Sequence, residues 1–174
     1  KMNVELGKVG FVGPGLMGLP MAQNLLDAGA DLDVFNRTIA KATPLVAKGA
    51  VACKSVLELA ERTRGGVIVI CVADTPAMVQ IVDAIAKLDL NGTLVIDMGT
   101  TTVEATKNAA AGIADAGGSF IDAPVSGGAL GAQLGTLSIM AGGTTADLDR
   151  AAHVFSVLGK ATAHIGAVGA GQVA

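Results

Sequence analysis

Apolar runs of strand length alternate with segments of helical period along most of the chain. "KVGFV" (8–12) reads as a buried strand, and "LMGLPMAQNLLDAG" (16–29) as a helix ended by Gly29. "DLDVF" (31–35) is the second strand. Thr43-Pro44 predicts an N-cap followed by a proline in the first helical position, with an earlier start at Thr38 as the alternative. A short strand at 50–52 precedes "SVLELAER", where Ser55 and Glu58 make a capping-box pattern. "GVIVICV" (66–72) is apolar throughout, as a central parallel strand covered on both faces should be. Thr75-Pro76 starts a helix to about Leu88, "TLVID" (93–97) is the next strand, and a helix follows from about Val103 to Ala116. "SFIDAP" (119–124), "TLSIMAG" (136–142) and "ATAHIG" (161–166) are later strands, and Thr144 with Asp147 marks a helix start between the last two. This rhythm predicts an α/β fold: a doubly wound, mostly parallel sheet flanked by helices.

Composition agrees. The 174 residues suffice for one domain with a sizeable core, and residues 1–174 show no linker, repeat or low-complexity break. The apolar half of the chain is mostly small aliphatics, with four Phe, no Trp or Tyr, and 24 glycines that imply tight turns or close backbone approaches. The net charge of -3 and the lack of any basic block argue against nucleic acid as a partner. The apolar runs are far too short to span a bilayer. "KMNVELGK" has no apolar signal region, so a cytoplasmic location is expected. Cys53 and Cys71 stand in different elements without metal-like spacing and read as two reduced thiols.

Chemistry concentrates in the glycines. Gly13, Gly15 and Gly18 spell G-x-G-x-x-G between a buried strand and a helix, the context in which this motif forms a dinucleotide-binding turn. Gly13 permits the tight turn, Gly15 leaves room for the pyrophosphate, and Gly18 lets helix and sheet approach. The helix N-terminus offers N–H groups and a partial positive charge to phosphate. The acid expected about 20 residues on, to hold a ribose 2′-hydroxyl, is replaced by Asn36-Arg37-Thr38. A guanidinium there suits a 2′-phosphate, so NADP(H) is expected in preference to NAD(H); the other reading is a turn with a solvated arginine. Asp33 lies within the strand and is misplaced for the acid role. "VAD" (72–74) and "DMGTT" (97–101) end strands where such sheets bind ligands, or else simply start helices.

A second cluster, "IDAPVSGGALGAQLGTLSIMAGG" (121–143), places Ser126-Gly127-Gly128 after a strand end. A hydroxyl and two exposed amides suit a substrate carboxylate; a flexible loop leading to a hairpin is the alternative. Together "GFVGPGLMGLPMAQNL", "FNRT" and "DAPVSGGALGAQLGTLSIMAGG" make the chain resemble the N-terminal, cofactor-binding, Rossmann-type domain of the β-hydroxyacid dehydrogenase family. That family includes 3-hydroxyisobutyrate dehydrogenase, tartronate semialdehyde reductase and glyoxylate/succinic semialdehyde reductases.

The resemblance implies hydride transfer between a nicotinamide cofactor and a small β-hydroxy acid or semialdehyde. It implies that Gly13, Pro14, Gly15, Leu16, Met17, Gly18, Asn36, Arg37 and Thr38 hold the dinucleotide, with Val72, Ala73 and Thr100 lining the same groove. Ser126, Gly127 and Gly128 would hold the substrate carboxylate. The family pattern G-x-G-x-x-x-K matches at Gly169 and Gly171 and puts its catalytic lysine one residue beyond Ala174. It also adds an all-helical C-terminal domain that closes the cleft and builds a homo-oligomer. Neither is part of these 174 residues, so the expectation is cofactor binding with little or no turnover. A non-catalytic binding or assembly module and a relative of the imine reductases are the alternatives. His153, His164 and Asp122 read as structural residues, Asp122 as a turn-stabilising carboxylate.

Overall fold

The computed structural model describes residues 6–174; the first residues of "KMNVELGK" lie outside it. The elements in chain order are β1 (Lys8–Val12), α1 (Gly18–Asp27), β2 (Asp31–Phe35), a 3-10 turn (Ile39–Ala42), α2 (Thr43–Val46), β3 (Val51–Ala52), α3 (Val56–Arg62), β4 (Val67–Ile70) and α4 (Thr75–Ile85). There follow β5 (Leu94–Asp97), α5 (Val103–Asp115), β6 (Ser119–Asp122), β7 (Val125–Ser126), α6 (Gly128–Leu134), β8 (Leu137–Gly142), α7 (Thr145–Leu158), β9 (Gly159–Gly166) and α8 (Ala170–Val173).

Among the described residues these strands form one sheet, ordered β3-β2-β1-β4-β5-β6-β8-β7, with β9 on β8. The first six strands in sequence pair with one another only in parallel. The chain winds outward from β1 in one direction, then returns to β4 and winds in the other. Strand order therefore reverses between β1 and β4, and this is where an open α/β sheet leaves a crevice at its carboxyl edge. β6 meets β8 antiparallel at a single register pair, Asp122 with Gly142.

The strands are buried on both faces because helices cover both. Val9, Phe11, Val69 and Ile96 pack with Met21 and Leu25 of α1 and Val154 and Leu158 of α7. Val12, Ile68, Ile70 and Val95 face the other way, onto Leu59 of α3, Met78 and Val82 of α4 and Ile113 of α5. Each fully buried aliphatic side chain here contributes about 1.5–3 kcal/mol. The all-apolar "VIVI" of β4 is the expected signature of a strand in such a position.

Capping residues set the helix starts. The side chains of Ser55, Asp74, Thr102 and Thr144 accept from the amides of Glu58, Ala77, Ala105 and Asp147 respectively. Around Ser55 the box is displaced by one residue: Glu58 reaches back to the amide of Lys54 (2.8 Å). Thr43 is not the N-cap of α2. It is already helical, and the 3-10 turn from Ile39, preceded by extended Thr38, starts this segment earlier. The stretch after Ser126 is not a loop into a hairpin either: α6 stands between β7 and β8, which still pair antiparallel.

Candidate functional site

The turn after β1 is built by what its glycines omit. The Gly13 amide donates to the Phe35 carbonyl of β2 (3.0 Å) with φ at +96°. A Cβ on Gly13 would collide with the Cys71 carbonyl at the end of β4, and one on Gly18 with the Gly13 carbonyl. A Cβ on Gly15 would meet no atom within 4 Å. Two glycines thus let the turn close on itself and on the sheet, and the third presents bare backbone to open space. α1 begins at this turn with no side-chain cap and no acidic residue in its first turn, leaving its positive end available to an anion. Pro14 is buried, Met17 is half-buried and Leu16 is exposed.

Beside the turn runs a groove of about 1030 Å³ at the β1–β4 reversal. Val12, Gly13, Asn36, Arg37, Val72 and Ala73 are among its lining residues. Asn36 donates its side-chain amide to the Thr38 carbonyl (2.9 Å), which shapes the "NRT" turn at the groove's lip. Arg37 is exposed and makes no ion pair among the described residues. Asp33 is buried and holds Arg62 of α3 at 3.1 Å, so it is committed to the fold and faces away from a ligand role.

Gly15, Leu16, Met17, Thr38, Thr100 and the Ser126–Gly128 segment do not line this groove. Thr100 is exposed on the turn after β5. That turn leans on the groove wall: a Cβ at Gly99 would stand 2.9 Å from the Val72 carbonyl oxygen, and the Thr102 amide donates to the Thr75 hydroxyl (3.3 Å). Ser126, Gly127 and Gly128 are exposed at the junction of β7 and α6, the two glycines with φ at +138° and +64°. Asn24 of α1 donates to the carbonyls of Ala132 (2.9 Å) and Gln133 (3.3 Å) near the end of α6, tying this segment to the helix of the glycine turn.

Sequence reasoning missed the work of two buried carboxylates and of an amide between them. Asp97 accepts from the Gly99 amide (3.0 Å) and the Thr101 hydroxyl (3.2 Å). Burial pushes its carboxyl up to about 6; the two hydrogen bonds oppose this, and neighbouring Asp122 adds to it. Asp122 accepts from the amides of Gly169 (2.8 Å) and Gln172 (3.0 Å), so it caps α8 and is not a turn residue beside Pro124. A carboxylate as the last residue of an apolar strand, as in "LVID" and "SFID", is the pattern that could have flagged both. No pattern flags Gln172.

Of the two histidines, one has a side chain held by the fold. His164 Nε2 lies 2.8 Å from the Gly143 carbonyl and 3.0 Å from that of Gly166; both are acceptors, so Nε2 carries the proton. His153 is exposed on α7. Both cysteines are free; burial raises each thiol to about 11, with help from Asp33 at Cys53 and Asp97 at Cys71. No helix among the described residues is long and apolar enough to cross a membrane.

Residues 8–166 match the family described as the NAD binding domain of 6-phosphogluconate dehydrogenase. The chain belongs to that family. Among curated proteins it is 40% identical to the 2-hydroxy-3-oxopropionate reductase of Escherichia coli (strain K12), over 95% of this chain and 56% of the relative. It is 36% identical to an NAD-dependent L-serine dehydrogenase of Pseudomonas aeruginosa, over 96% of this chain and 56% of that protein. Among solved structures it superposes on a 3-hydroxyisobutyrate dehydrogenase from Mycobacterium tuberculosis, solved with L-serine, with a TM-score of 0.86 at 29% identity; the match covers 95% of this chain and 56% of the other. An imine reductase from Pseudomonas sp. gives 0.86 at 24% identity over 94% and 57%, a likeness of fold alone. The chain spans about half the length of the curated relatives it matches.

Proposed function

We propose that the chain binds a dinucleotide, NADP(H) in preference to NAD(H), for hydride transfer to or from a small β-hydroxy acid or semialdehyde. The observation that carries this reading is the bare backbone at Gly15 beside an uncapped helix end, in the turn whose Gly13 lines the groove that Asn36 and Arg37 border. Backbone amides and a helix N-terminus suit a pyrophosphate. An exposed guanidinium without an ion pair among the described residues suits the extra phosphate that separates NADP(H) from NAD(H). The nicotinamide, when bound, supplies or accepts the hydride.

This chain's residues do the holding. Gly13, Pro14, Gly15, Leu16, Met17 and Gly18 seat the pyrophosphate, and Asn36, Arg37 and Thr38 take the ribose phosphate. Val72 and Ala73 supply the apolar wall, with Thr100 further along the carboxyl edge. Ser126, Gly127 and Gly128 offer a hydroxyl and two amides to a substrate carboxylate. The named activities of the relatives, all on small hydroxy acids or their oxidised forms, support this substrate class.

Titration with NADPH and NADH tests the assignment. NADPH should bind more tightly, and Arg37→Ala should weaken NADPH while sparing NADH. Equal loss for both would remove the 2′-phosphate assignment, and binding of neither would remove the dinucleotide reading.

A further inference from the structure

Thr100 is held from both sides by one side chain. The Gln172 side-chain amide donates through Nε2 to the Gly99 carbonyl (3.0 Å), and its Oε1 accepts from the Thr101 amide (3.0 Å). The two bonds flank Thr100 as a neighbouring strand would, though the partner is a side chain from far along the sequence. Gln172 is itself fixed from behind. Its backbone amide donates to Asp122 Oδ2 (3.0 Å), and Asp122 Oδ1 accepts from the Gly169 amide (2.8 Å).

The packing around this chain of bonds leaves little play. Asp122 is fully buried, and a Cβ on Gly171 would stand 2.5 Å from the Met140 carbonyl oxygen and 2.9 Å from that of Asp122. Thr101 is also bound to Asp97 through its hydroxyl, which lies 3.1 Å from that of Thr106. The 99–101 turn therefore cannot move without breaking either its bonds to Asp97 or its bonds to Gln172. That turn in turn abuts Val72 and Thr75, both on the wall of the large groove.

We propose that Gln172 is a positioning residue that couples the docking of α8 to the dinucleotide groove through the Gly99–Thr101 turn. The proposal rests on the dinucleotide reading and on Thr100 lying along the bound cofactor. A ligand that presses on the 99–101 turn selects the arrangement in which Gln172 grips it, and thereby the arrangement in which α8 is seated on Asp122. By linkage the effect is reciprocal: whatever seats α8 tightens the groove. The contacts of the dinucleotide end and the setting of the segment that carries Gly169 and Gln172 are thus one equilibrium.

The test uses the 174-residue chain, NADPH and NADH. Gln172→Met keeps the side chain's length and removes both polar arms. It should weaken NADPH binding by about 5- to 20-fold, the lower part of the usual range for coupled sites, with native far-UV circular dichroism. In the unmutated chain, saturating NADPH should slow hydrogen exchange at the Gly169 and Gln172 amides, which touch no cofactor in this reading. A merely structural glutamine would not produce that response. Unchanged affinity in a folded Gln172→Met variant, or exchange at Gly169 and Gln172 that ignores NADPH, overturns the coupling while leaving the dinucleotide reading intact. If Gln172→Met does not fold, the exchange measurement on the unmutated chain decides alone. An unmutated chain that binds neither dinucleotide overturns both.

Discussion

Asp97 and Asp122 are register partners on adjacent parallel strands, and both are fully buried at the carboxyl edge of the sheet. Their surroundings differ. Asp122 faces two backbone amides of the α8 segment, whereas Asp97 has one amide and one hydroxyl.

Asp97 should make stability fall as pH rises from 4 to 6. Its carboxyl is raised from 3.8 to about 6, so the folded state holds a proton that the unfolded state has released over this window. The stabilisation from the protonated form is fully present below 3.8 and lost as pH passes 6, up to about 3 kcal/mol. Asp97→Asn should flatten this slope. Urea unfolding at pH 4.5 and 7.5 checks it, and an undiminished slope in the variant would assign the effect elsewhere.

Gly15 and Gly18 should separate binding from stability. Gly15→Val places its side chain in open space, so the variant should melt like the unmutated chain and fail to bind dinucleotide. Gly18→Ala drives a methyl into the Gly13 carbonyl and to 3.0 Å from the Phe11 ring, and should cost about 1–3 kcal/mol. Paired melting and NADPH titrations distinguish the two; a destabilised Gly15→Val would contradict the open geometry.

Asn24→Leu should cost about 1–2 kcal/mol, because two carbonyls of α6 lose their donor. For a chain of this size that is a fall in Tm of roughly 2–8 °C. Hydrogen exchange in α6 should quicken more than exchange in α5, which Asn24 does not touch.

Both thiols should be inert in the native state. With values near 11, about one molecule in a thousand carries a thiolate at pH 8 at either site. Iodoacetamide should label Cys53 and Cys71 slowly at pH 8 and rapidly in urea. Rapid native labelling of Cys71 would mean that its burial against the sheet end is incomplete.

The parts of the fold that were legible in the sequence are those whose causes are local. "VIVI" declared a strand covered on both faces, and Ser55, Thr144 and Thr75-Pro76 lie at helix starts because capping acts within four residues. α6 escaped because "GALGAQL" carries three residues with side chains larger than a methyl and ends at a left-handed Gly135; its helicity comes from packing and from Asn24, not from its own pattern. At the candidate site, the glycine turn and the position of Arg37 beside the groove were readable because motif spacing reflects backbone geometry. The Asp97, Asp122 and Gln172 bonds were not, since each joins residues from elements far apart in sequence.

The turn at Gly13–Gly18 is encoded early in the chain, yet its floor is the Cys71 carbonyl, laid down three helices later by β4. During synthesis, the helix proposed to seat a phosphate can form long before the surface it rests on exists. Parallel pairing of β1 with β4 must close that long loop first, a slow class of folding event. If the glycine turn is the binding site, a growing chain is blind to dinucleotide until β4 arrives, and the first moment of binding would time-stamp closure of the sheet.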